Sequence, residues 1–173
     1  YIIAWRSLTA ATNRRTMLAT LIPLIPTCQS IQILQLDNID DMLQILVLFN
    51  SIIFDYIVRL KMAGLDLTQT IIKQIPVPKK EIYESVIVFQ NKEDTIRNHV
   101  YARIKYLYAK DKRVSALFKN NDICDSANKS RKQIISELDC LVGVMYGLST
   151  EQIKEIANTF EKYYTKKEVE QWF

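Results

Sequence analysis

The sequence changes texture after Lys79-Lys80, from a mixed first part to a second part that reads as all helical. Upstream lie short apolar runs punctuated by Pro23, Pro26, Pro76 and Pro78; downstream, over residues 81–173, breakers are few and charged helix formers are many. Proline ends strand pairing, and a long breaker-free stretch favours helix. The expectation is an α+β chain, with a small β-rich domain carrying some helices over residues 1–80 and a helical bundle over residues 81–173. With 49% apolar residues in 173, a real core can form. Three glycines and four prolines argue against a linker or a disordered tail.

Within the first part, residues 1–8 (YIIAWRSL) and 16–22 (TMLATLI) are β-branched and aromatic. Residues 10–15 (AATNRR) interrupt them with a polar turn, so the pair reads as a hairpin with a basic loop. Residues 30–36 (SIQILQL) alternate apolar and polar with period two, giving a third strand. Asp37 or Asn38 caps a helix whose apolar stripe is Met42, Leu43, Leu46 and Val47. Asn50-Ser51 caps a second helix, with Ile52, Ile53, Tyr56, Ile57 and Leu60 on one face and Gly64 as its stop. Residues 65–77 fit either a short helix or a strand. In the second part, period and caps predict helices over about 80–91, 93–110, 126–146 and 150–163. Ser149-x-x-Gln152 forms a capping box, and Gly147 stands where a C′ glycine belongs.

Several function classes drop out. No Gly-rich phosphate loop can be built from three glycines, and no G-x-S-x-G or nucleophile–base arrangement is present. The only histidine, His99, has no second His or Cys at ligand spacing and reads as a solvated helix-face residue. Cys28, Cys124 and Cys140 are odd in number and far apart, which suggests neither zinc nor a disulfide framework and suits a reducing cytoplasm. Asp40-Asp41 falls at a helix start, where acids favour the dipole. The longest apolar stretch, residues 45–58, is interrupted by Asn50, Ser51 and Asp55 and is too short and polar to span a bilayer. The chain opens at Tyr1 inside a strand-like pattern without Met or signal peptide, and is expected to be a portion of a longer protein.

Three stretches carry recognition chemistry. Residues 9–16, with Arg6 before them, concentrate Thr9, Thr12, Asn13, Arg14, Arg15 and Thr16. Arg and Asn make bidentate bonds to guanine and adenine edges, and Thr and Arg hold phosphates. A solvated hairpin turn has the same composition, so both readings stand. Residues 97–119 set seven bases (Arg97, Arg103, Lys105, Lys110, Lys112, Arg113 and Lys119) against one acid, Asp111, with Tyr101, Tyr106 and Tyr108 interleaved. That run either tracks a phosphate backbone or is the wet face of an amphipathic helix. Arg59, Lys61 and Lys73 flank Gly64, which lets a backbone approach a ligand or simply ends a helix. The overall charge is only +4, so any nucleic-acid contact should be local.

The run LVLFNSIIFDYIVRLKMAGLDLTQTIIKQIPVP over residues 46–78 resembles the region C-terminal to the methylase domain in type IIG restriction–modification enzymes and related adenine-specific DNA methyltransferases, including those of phage-defence systems. The likeness rests on Leu48-Phe49-Asn50-Ser51, Phe54-Asp55-Tyr56 with Arg59, Gly64, Leu67 and Gln74-Ile75-Pro76-Val77-Pro78. Arg6, the run Thr12-Asn13-Arg14-Arg15-Thr16 and Ile22-Pro23 are similar to the same region, as are Leu138-Asp139, Tyr146-Gly147-Leu148 and Thr159-Phe160 near the end. The resemblance implies a target recognition domain. Double-stranded DNA would be its partner, together with an upstream domain of the same chain that binds S-adenosylmethionine and methylates adenine. That upstream domain should carry Asn-Pro-Pro-Tyr, a motif this sequence lacks, so no catalytic residue or cofactor site is expected here. The resemblance favours Arg6, Thr12, Asn13, Arg14 and Arg15 as DNA contacts, with Arg59, Lys61 and Lys73 on the backbone. Replacing Arg14 and Arg15 together by alanine should then weaken duplex binding while leaving the melting temperature nearly unchanged. The rival reading is a helical protein–protein interaction scaffold without DNA contact.

Overall fold

The structure, a computed structural model, describes residues 1–118 and 129–172. Lys119, Cys124 and the start of the helix expected from residue 126 lie outside them. The fold is α+β. A three-stranded antiparallel sheet has the order β2-β1-β3, built from β1 (Ile2–Arg6), β2 (Ala19–Ile22) and β3 (Ile31–Leu34). Ile2 faces Ile22 on one side, and Arg6 faces Ile31 on the other. The central strand is apolar without alternation because Ile2, Ile3, Ala4 and Trp5 are all buried, so both of its faces are covered.

The second strand is shorter than residues 16–22. The Thr16 and Met17 amides go to the Asp55 carboxylate, not to the sheet ladder, so β2 begins only at Ala19.

Two helices follow as the caps predict. Asn38 accepts from the Asp40 and Asp41 amides and opens α1 (Ile39–Asn50). Ser51 ends α1 and begins α2 (Ile52–Lys61): its hydroxyl donates to Leu48 O and accepts from Phe54 N. The two helices bend by 65° at this serine. Met42, Leu43, Leu46 and Val47 are buried as expected, whereas Leu60 is 70% exposed and α2 turns Phe54 and Val58 inward instead. Met62, in extended conformation, caps α2 before Gly64 is reached. A Cβ on Gly64 would meet nothing within 4 Å, so neither a helix stop nor a close approach requires glycine there. The ambiguous residues 65–77 hold one short helix, α3 (Gln69–Ile72), and a bridge between Asp66 and Leu8.

The helix expected over 80–91 does not form. A 3₁₀ turn spans Lys80–Glu84, and a hairpin follows from β4 (Val86–Phe89) and β5 (Lys92–Thr95). Val-Ile-Val-Phe alternates exposed and part-buried, and Gln90 and Asn91 take positive φ of 54° and 60°, the geometry of a two-residue hairpin turn. The next helix therefore starts late: α4 (Ile96–Tyr108) is capped by Thr95. Capping boxes open α5 (Arg131–Met145) at Ser130 and Gln133, α6 (Thr150–Asn158) at Ser149 and Gln152, and α7 (Lys166–Glu170) at Thr165 and Glu168. Gly147 has φ +71° and ends α5 as a C′ glycine. The helix expected to reach 163 stops at Asn158.

One apolar cluster runs from Ile3 through Val58, Ile104 and Leu141 to Val169, so residues 1–80 and 81–173 share a core. Among the described residues no single helix is long and apolar enough to cross a membrane.

Candidate nucleic-acid interface

Residues 7–18, which join β1 to β2, close on themselves. Asn13 N donates to Ala10 O, Thr9 Oγ1 to Thr16 O, and Thr16 Oγ1 to Ala10 O. Asn13 Nδ2 donates to Thr9 Oγ1 at 3.2 Å. The base of the loop is tied down by Thr9 N donating to Leu65 O and Leu67 N to Ser7 O.

Asp55 and Arg59, one turn apart on α2, hold the loop from beneath. Asp55 is fully buried and accepts from Thr16 N at 3.0 Å, Met17 N at 3.3 Å and Arg15 Nε at 2.8 Å. Arg59 donates from Nε to Thr16 Oγ1, and from Nη2 to Asn13 O at 2.9 Å and Arg14 O at 3.2 Å. The turn after α6 supplies a wall. Arg59 lies 4.0 Å from the Phe160 ring centroid, and Arg15 lies 5.1 Å from that of Tyr163. Cations over aromatic faces are attracted by the ring quadrupole, more strongly where water is excluded.

This placement divides the residues that sequence reasoning grouped together. Arg15 is 5% exposed, and its guanidinium is committed to Asp55 and to Asn50 O at 2.6 Å, so it does not reach outward. Its charge is held on: burial opposes it, but Asp139 and Asp55 raise its pKa. Arg59 likewise holds loop carbonyls in place of a phosphate. Thr12, Asn13 and Arg14 keep exposed side chains. Arg6 ends β1, Lys61 ends α2 and Lys73 caps α3; all three are exposed. Among the described residues no hydrogen bond or ion pair joins them to the loop.

Among the described residues of the basic run 97–119, its three arginines are ion-paired. Arg97 pairs with Glu84, Arg113 with Asp111, and Arg103 is buried against Glu137 at 2.8 Å. Tyr101 and Tyr108 pack on Phe118, and Tyr106 donates to Lys129 O. The amphipathic-helix reading accounts for the part of the run on α4. His99 is 4% exposed, not solvated as expected: it sits edge-on to Phe89, and burial lowers its pKa. Among the described residues no group of His, Cys, Asp or Glu could hold a metal ion.

Two buried acids escaped the sequence reading of function. Asp55 had one signal, a carboxylate in the apolar run of α2 four residues before an arginine, which calls for a buried partner. Asp139 had none. Its carboxylate accepts from Ile52 N at 2.9 Å and from Tyr164 Oη at 2.7 Å, and burial pushes its pKa up to about 6. It borders a cleft of about 510 Å³ between β2, α1, α4 and α5, where Asn50, Ser51 and Arg15 are also hydrogen-bonded within the fold. Among the described residues lining that cleft, no nucleophile is hydrogen-bonded to a base.

No protein-family model matches the chain, and comparison with curated proteins and with solved structures gives no match either.

Proposed function

We propose that the chain is a DNA target-recognition domain, the C-terminal part of a type II restriction enzyme or related adenine-specific DNA methyltransferase. It docks on duplex DNA in the cytoplasm and sets which site is modified. An upstream domain of the same polypeptide binds S-adenosylmethionine and does the chemistry. The observation that carries this reading is the clamp under the loop. Asp55 and Arg59 fix the backbone of residues 13–17 while the side chains of Thr12, Asn13 and Arg14 stay exposed. Recognition groups on a rigid frame lose little entropy on binding. Arg, with two donors, and Asn, with one donor and one acceptor, are the residue types that bond base edges bidentately. The family resemblance of residues 46–78 supplies the class of parent enzyme.

Duplex binding followed by fluorescence anisotropy tests it. Affinity should fall linearly on a log–log plot against salt, by about 0.9 per phosphate contacted. Arg14→Ala should weaken binding by about 1–3 kcal/mol with the melting temperature retained. A chain that ignores duplex at low salt, or an Arg14→Ala variant that binds as the unaltered chain does, overturns the proposal. The scaffold alternative is favoured by Val86 and Val88, 60% and 71% exposed on the outer face of the β4–β5 ribbon. It expects partner protein, and no duplex, to bind.

A further inference from the structure

We propose that Lys162, in the turn between α6 and α7, belongs to the same duplex-facing surface and neutralises a backbone phosphate beside Arg14. The inference rests on the DNA-recognition reading above. The loop 7–18 and this turn are far apart in sequence but meet in the fold. Lys162 Nζ donates to Thr12 O at 3.1 Å, and its side chain is exposed. An ammonium has three donors, so one hydrogen bond to a carbonyl leaves two for a phosphate oxygen. Next to it, the Arg14 guanidinium lies 5.3 Å from the Tyr163 ring centroid.

The charge balance of this corner favours an anion. The acids beneath it, Asp55 and Asp139, are buried; Asp55 pairs with Arg15 at 2.8 Å and Arg59 at 3.5 Å, and Asp139 accepts from Ile52 N and Tyr164 Oη. Glu161 is exposed beside Lys162 in sequence, yet among the described residues neither Lys162 nor Arg14 has an ion pair. Two exposed cations are thus held on one surface by the aromatic wall and the Thr12 carbonyl. Like charges repel, and a phosphate between them relieves the repulsion. The positions also differ in kind. Arg14 stands among residues able to read base edges, whereas Lys162, a point charge on a flexible stem, suits the backbone.

Lys162→Gln tests this, because it keeps a polar side chain while the charge is gone. Expected is a log–log salt slope smaller by about 0.9, seen as roughly tenfold weaker binding near 50 mM salt shrinking to about threefold near 200 mM. Lys162→Arg should restore both. Lys92→Gln, on the β4–β5 ribbon, removes the same charge and should leave the slope unchanged. A merely structural lysine would change affinity equally at every salt concentration. An unchanged slope in Lys162→Gln overturns the inference and leaves the recognition reading standing. Absence of any duplex binding by the unaltered chain removes that reading and this inference together.

Discussion

Asp55 takes the Thr16 and Met17 amides and the Arg15 guanidinium while shut off from water. Removing one partner of a buried ion pair leaves the other uncompensated. Asp55→Ala should therefore lower stability by about 3–5 kcal/mol, read as the shift in urea midpoint. Arg15→Ala should also destabilise, whereas Arg14→Ala should stay within about 0.5 kcal/mol. The adjacent arginines look alike in sequence. What separates them is a carboxylate forty positions away, and no local pattern reports such a pairing. Asp139 makes a pH prediction at the same scale. Burial raises its folded pKa from 3.8 to about 6, so the folded state binds a proton more tightly than the unfolded chain. The stability this provides is present below about pH 4 and is lost as pH rises through 6, a fall on the order of 3 kcal/mol. Unfolding measured across that window should show the fall in the unaltered chain and a flatter profile in Asp139→Asn. Equal profiles would remove the assignment.

Helix caps were legible and the ribbon was not, for different reasons. Asn38, Ser51 and Ser149 act within three residues of themselves, so sequence suffices to place their helix starts. The β4–β5 ribbon was read as helix because its charged flanks outweighed four β-branched and aromatic residues. Only packing of Ile87 and Phe89 against the core decides for strand. Where α5 crosses α6, sequence offers a glycine without its reason. A Cβ at Gly143 would sit 2.4 Å from Ile153 Cδ1 and 2.5 Å from its Cγ1, and Ile153 is 1% exposed. Gly143→Ala should cost about 1–3 kcal/mol by overpacking. Adding Ile153→Ala should recover part of that loss. A double-mutant cycle on urea midpoints measures the coupling, and strictly additive losses would show that the crossing has room.

The texture change at Lys79-Lys80 suggests two bodies, but the packing runs through it. Asp139 on α5 caps the Ile52 amide of α2, Tyr146 donates to Pro76 O, and Lys162 reaches Thr12 O. The buried apolar cluster includes Trp5 at one end of the chain and Val169 at the other. Sequence could place the boundary but not the contacts across it, because a core is a property of distant pairs. A chain with one core should unfold in one cooperative step. Trp5 lies in β1, against Phe49, and reports the first part; far-UV circular dichroism is dominated by the helices, several of them in the second. In a Trp172→Phe variant the remaining tryptophan fluorescence comes from Trp5 alone. Its urea transition should coincide with the dichroism transition in both midpoint and slope. Asp139→Ala should move both together, since the broken bond joins the two parts. If the fluorescence transition held still while the dichroism transition moved, residues 1–80 would be folding independently, and the loop between β1 and β2 would owe nothing to the helices that wall it.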